Sequence, residues 1–64
     1  MDNKISQVLR RKNMTQALLA QKVGVSRAYI NRIIKGGINP TIPLGIRIAK
    51  ALGEQVEDLF IIEE

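Results

Sequence analysis

Apolar residues recur at helical spacing in five successive stretches of the chain. In the first, Ile5, Val8 and Leu9 fall at i, i+3 and i+4, one stripe of an amphipathic helix running from Asp2 or Asn3 to Lys12. A second helix is read from Gln16 to Val23, with Leu19, Ala20 and Val23 facing inward and Leu18 turned toward the outside. The third, from Arg27 to Lys35, gathers Ile30, Ile33 and Ile34 into one apolar stripe at about 100° per residue. Its opposite side carries Ala28, Arg32 and Lys35, flanked by Arg27 and Asn31 on one edge and Tyr29 on the other. A fourth helix lies between Thr41 and Gly53; Ile42, Ile46, Ala49 and Leu52 form its expected core stripe, widened by Leu44 and Ile48. The last is short, about Gln55 to Phe60, with Val56, Leu59 and Phe60 as an apolar plug and Phe60 as its core anchor.

The residues between these stretches mark their ends. Thr15, Ser26 and Thr41 are placed to cap helices, because a hydroxyl accepts a bond from a backbone N–H left without a partner in the first turn. Met14 with Leu19, and Val25 with Ile30, stand at the offset of a hydrophobic staple. Gly24 follows Val23, where a residue without a Cβ can take the left-handed conformation that stops a helix; Asn13 can do the same after the first helix. Gly36 to Pro40 reads as a loop, Pro43 is tolerated in a first turn, and Gly45 is a weak point inside the fourth helix. The expected architecture is a single all-α domain over residues 1–64, a compact five-helix bundle. Its centre is a helix-turn-helix from Thr15 to Gly36, two short helices joined by a glycine-centred turn.

Composition narrows the chemistry. The 64 residues include no Cys and no His, which removes disulfides, the usual zinc sites and Ser-His or Cys-His nucleophiles. No catalytic constellation, metal site, cofactor or small-molecule ligand is expected. The N-terminal stretch is polar and no apolar run approaches the roughly 20 residues that span a bilayer, so a cytoplasmic protein without a membrane partner is expected. Net charge is +4, but residues 1–35 hold eight basic residues against one acid, while residues 36–64 hold two basic against five acidic. A basic half that contains the helix-turn-helix is an electrostatic footprint for a polyanion. Arg10, Arg11 and Lys12 alone need no ligand, since positive charge in a last turn complements the helix dipole. The outward side of the third helix differs: Arg, Asn, Arg and Lys there are the side chains that hydrogen-bond base edges and phosphates.

The strings TQxxLAxKxGVSRxxIxRI, NP and IAKALGxxxEDLF, in that order over nearly the whole chain, resemble the Cro/C1-type, or XRE, helix-turn-helix family of phage repressors and bacterial regulators. The resemblance implies a lambda-repressor-like five-helix bundle without catalytic activity, nucleoid-associated, that binds double-stranded operator DNA as a two-fold dimer with the third helix in the major groove. It implies that Gln16 grips a phosphate and braces the recognition helix. Arg27, Ala28 and Arg32 match positions that commonly face bases, with Ser26, Tyr29, Asn31 and Lys35 nearby, and Asn39 matches a loop position close to the backbone. The chain departs from the pattern at Ile34, at Gly37-Ile38 and at Glu54, where glutamate, a basic pair and an apolar residue are frequent.

Dimer contacts are expected at Phe60, Ile61 and Ile62, because the C-terminal part is acidic, stands apart from the outward side of the third helix, and ends in β-branched residues. A competing reading keeps the fold but not the DNA: an antitoxin-like or complex-forming subunit using Leu18, Ile34, Ile38 and Ile61-Ile62.

Overall fold

Five helices form in the order the apolar pattern predicts, and three of them begin on the expected caps. The computed structural model describes residues 2–61. The helices are α1 (Ile5–Arg11), α2 (Gln16–Val23), α3 (Arg27–Ile34), α4 (Ile42–Leu52) and α5 (Val56–Leu59). Thr15, Ser26 and Thr41 each accept a bond from the backbone N–H three residues on, at 3.0, 3.0 and 3.3 Å. Their removal by alanine typically costs about 1 kcal/mol each.

The first four helices close with one device. An N–H two or three residues past the helix reaches back five positions, as Met14 N–H does to Leu9 O, Val25 to Ala20, Gly37 to Arg32 and Glu54 to Ala49. That closure requires a left-handed residue. Asn13 supplies it after α1 at φ 56°, and Gly24 after α2 at φ 80°, where any Cβ would be strained.

The core is wholly apolar among the described residues. Ile5, Leu19, Ile30, Ile33, Ile48, Leu52 and Leu59 are almost completely buried, joined by Val8, Leu9, Ala20, Val23, Leu44, Ala49 and Phe60. Helix α2 packs on both α3 and α4, and α4 on α5, so α2 is the shared wall. No described helix is long and apolar enough to cross a membrane.

The bounds of three helices differ from the sequence expectation. Helix α1 starts at Ile5 rather than at Asp2 or Asn3, because the N-terminal segment is captured by the C-terminal one: Lys4 N–H donates to Leu59 O, Ile61 N–H to Asp2 O, and Asn3 bridges Phe60 antiparallel. For the same reason α5 is shorter than Gln55–Phe60, with Phe60 extended at φ −109°, ψ 133°, and Val56 is half-buried rather than core. Lys35 lies just beyond α3 as its C-cap.

In α4 the stripe is rotated. Ile42 is 80% exposed and Ile46 is 42% exposed, while Leu44, Gly45, Ile48, Ala49 and Leu52 are buried. The helix has more apolar residues than one stripe can hold, so its own periodicity leaves the inward face undecided. Packing against α2 on one side and Phe60 on the other decides it.

Candidate nucleic-acid interface

The turn after α2 and the cap of α3 bring the two helices' N-terminal ends to one open cleft. Thr15, Gln16 and Ala17 line it from α2, and Arg27, Ala28 and Asn31 from α3, around a volume of about 660 Å³. One hydrogen bond spans the walls: Asn31 Nδ2 donates to Gln16 Oε1 at 3.2 Å. Both caps lie beside this cleft, with Thr15 Oγ1 taken by Leu18 N–H and Ser26 Oγ by Tyr29 N–H. The remaining first-turn N–H groups have no intrahelical partner, and the positive helix ends favour an anion.

Four of the residues singled out in the sequence, Gln16, Arg27, Ala28 and Asn31, therefore meet in the cleft. Arg32 and Lys35 are exposed beyond its lining, and Asn39 is exposed on the loop before α4. Ser26 is exposed and its oxygen serves the cap, whereas Tyr29 is half-buried and packs against the core. Thr15 and Ala17 were not singled out as contact residues although both line the cleft. Both adjoin Gln16 in the chain, but successive helix residues lie about 100° apart, so chain neighbourhood alone does not assign them to its side.

Charge on this side is not cancelled internally. Among the described residues the ion pair is Arg11 with Glu54, which ties the end of α1 to the turn before α5. Glu54, one of the departures from the family pattern, thus has a local partner. Arg27, Arg32 and Lys35 stand without a carboxylate in ion-pair range among the described residues, so their donors are available to an anionic ligand.

A second surface lies elsewhere. Pro40, Thr41, Ile42, Gly45, Ile46, Val56 and Phe60 line an almost wholly apolar groove of about 160 Å³. Phe60 is buried in the chain's own core, 4% exposed, and contributes to the groove only as lining. Ile61 is 44% exposed. Ile62 lies outside the described residues.

Two capped helices on a glycine turn, with a basic, braced outer helix, define a helix-turn-helix protein. A helix-turn-helix family model matches residues 5–59. The chain belongs to that family, the Cro/C1-type or XRE helix-turn-helix proteins. It is 44% identical over 64 residues to an uncharacterized HTH-type transcriptional regulator of Methanocaldococcus jannaschii, covering 100% of this chain and 97% of that one. Another uncharacterized HTH-type transcriptional regulator, from Methanothermobacter thermautotrophicus, is 48% identical over 52 residues, 80% of this chain and 75% of its own length. The uncharacterized HTH-type transcriptional regulator YgzD of Bacillus subtilis is 36% identical over 64 residues, 100% of this chain and 97% of that one.

Proposed function

We propose that this protein is a sequence-specific DNA-binding transcriptional regulator that works as a homodimer, lays α3 in the major groove and represses by occupying its operator. The observation that carries the reading is the cleft in which Gln16 braces Asn31 between the N-terminal ends of α2 and α3, with Arg27 and Ala28 beside it. A braced Asn and an exposed Arg suit base edges, since asparagine pairs with adenine N6 and N7 and arginine with guanine O6 and N7. Gln16 and the N-terminal end of α2 suit a phosphate, which sets register rather than sequence.

Dimerisation supplies the second half-site. One recognition helix reads a few base pairs, and useful specificity calls for two copies related by a two-fold axis. The apolar groove supports this reading, because Ile42 and Ile46, which line it, expose large apolar area. Phe60 serves that contact from beneath as part of the groove lining, and Ile61, which follows it in the chain, is exposed.

Titration of a specific duplex against the protein at rising salt tests the reading. Binding through several phosphates lowers log K by about 0.9 per neutralised phosphate for each tenfold rise in salt. Affinity for duplex that is absent, or indifferent to salt, contradicts it and favours a protein-interaction subunit with the same fold.

A further inference from the structure

We infer that Asn3 is a positioning residue for the recognition helix, holding the C-terminal end of α3 in register with the clasp formed by the two chain termini. The inference rests on the DNA-reading role proposed above. Asn3 lies outside every helix, yet both ends of its side chain are engaged. Its Oδ1 accepts from Ile5 N–H at 3.2 Å, a local turn that opens α1. Its Nδ2 donates across 30 residues to Ile33 O at 2.9 Å, in the last turn of α3. The amide orientation is fixed by these partners, since a flip would set donor against donor and acceptor against acceptor. The backbone of the same residue bridges Phe60.

Ile33 O already accepts from Gly36 N–H at 3.0 Å as part of the helix closure, so the Asn3 bond is not needed to satisfy it. It adds a lateral tether. α3 is held at three points: the short turn Gly24–Ser26 joins its start to α2, the Gln16–Asn31 bond ties its middle to the same helix, and Asn3 fastens its far end to the termini. An eight-residue helix is about 12 Å long, so a tilt of about 5° about its fastened start moves its far end by about 1 Å. Arg32 sits at that far end and Arg27 at the start. A bidentate arginine contact tolerates displacements well under 1 Å, so loss of the tether acts on the base pair read by Arg32 more than on that read by Arg27.

Two variants separate positioning from stability. Asn3→Asp keeps the acceptor for Ile5 N–H and loses the donor to Ile33 O; Asn3→Ser can still make the local turn but is too short for the long bond. Each is compared with wild type by selection from random duplex DNA and by amide hydrogen exchange on the free protein. The preference at the Arg32 position is expected to fall about five- to tenfold, with that at the Arg27 position held. Exchange at Lys35, Gly36 and Gly37 is expected to rise about fivefold relative to Gly24 and Val25, which close α2 in the same way. A lowered melting temperature with an unchanged preference profile, or a uniform rise in exchange, overturns the inference and leaves Asn3 a fastener of the termini alone. If wild type itself shows no sequence preference, the proposed function fails, and the exchange comparison decides the tether by itself.

Discussion

Replacing Ile42 by Asp tests the proposed dimer separately from folding. Ile42 is the first residue of α4, following the Thr41 cap, and is 80% exposed. A carboxylate there faces the positive end of the helix, an effect of about 0.3–1 kcal/mol in favour of the fold, so the variant keeps its helices. Full burial of an isoleucine side chain is worth about 1.5–3 kcal/mol, and two-fold symmetry counts the 80% exposed side chain twice, so covering Ile42 would contribute about 2.5–5 kcal/mol to the proposed dimer. Ile46 at 42% and Ile61 at 44% exposure add a comparable amount between them. Association costs of about 4–15 kcal/mol are of the same size as that total, so the proposed dimer has little to spare. Ile42→Asp is therefore expected to weaken it about fifty-fold or more, the lower end of its own contribution. Sedimentation equilibrium gives the dimer constant and circular dichroism the helix content. A folded variant with an unchanged dimer constant would refute the assignment of the groove and move the interface to Leu18 or the Gly37-Ile38 loop.

Other substitutions probe the reading face and the fold. Arg32→Ala is expected to cost about 1–3 kcal/mol on the best duplex and relax preference at one position of each half-site, read by selection; uniform weakening would make Arg32 a phosphate contact. Gln16→Ala should weaken all duplexes alike in a binding titration, and a changed sequence preference would contradict its phosphate role. Gly45→Ala should raise the unfolding free energy by about 0.5–1 kcal/mol in denaturant, because an added Cβ would lie 3.7 Å from the Phe60 ring and 4.0 Å from Pro40, ordinary contact distances. Destabilisation would mean that Phe60 cannot accept that contact.

Most of the helix-turn-helix is legible in the sequence because its signals are local. Thr15, Ser26 and Gly24 act on backbone within a few residues of themselves, and each does what its position announces. The face of α4 was not legible: Ile42, Leu44, Ile46 and Ile48 are equally apolar, and only tertiary packing ranks them. Nor was the start of α1, since the capture of Asn3 by Phe60 joins residues 57 positions apart and leaves no periodic trace. The cleft was legible in part. Helical phase places Arg27 and Asn31 on the outward side of α3, but the bond from Asn31 to Gln16 depends on how α2 and α3 cross.

Selection of bound sequences from random duplex DNA bears most directly on the account. It predicts enrichment of a two-fold symmetric site whose half-sites are centred about 34 Å, one helical turn, apart. A bound pool indistinguishable in sequence from the input would contradict it.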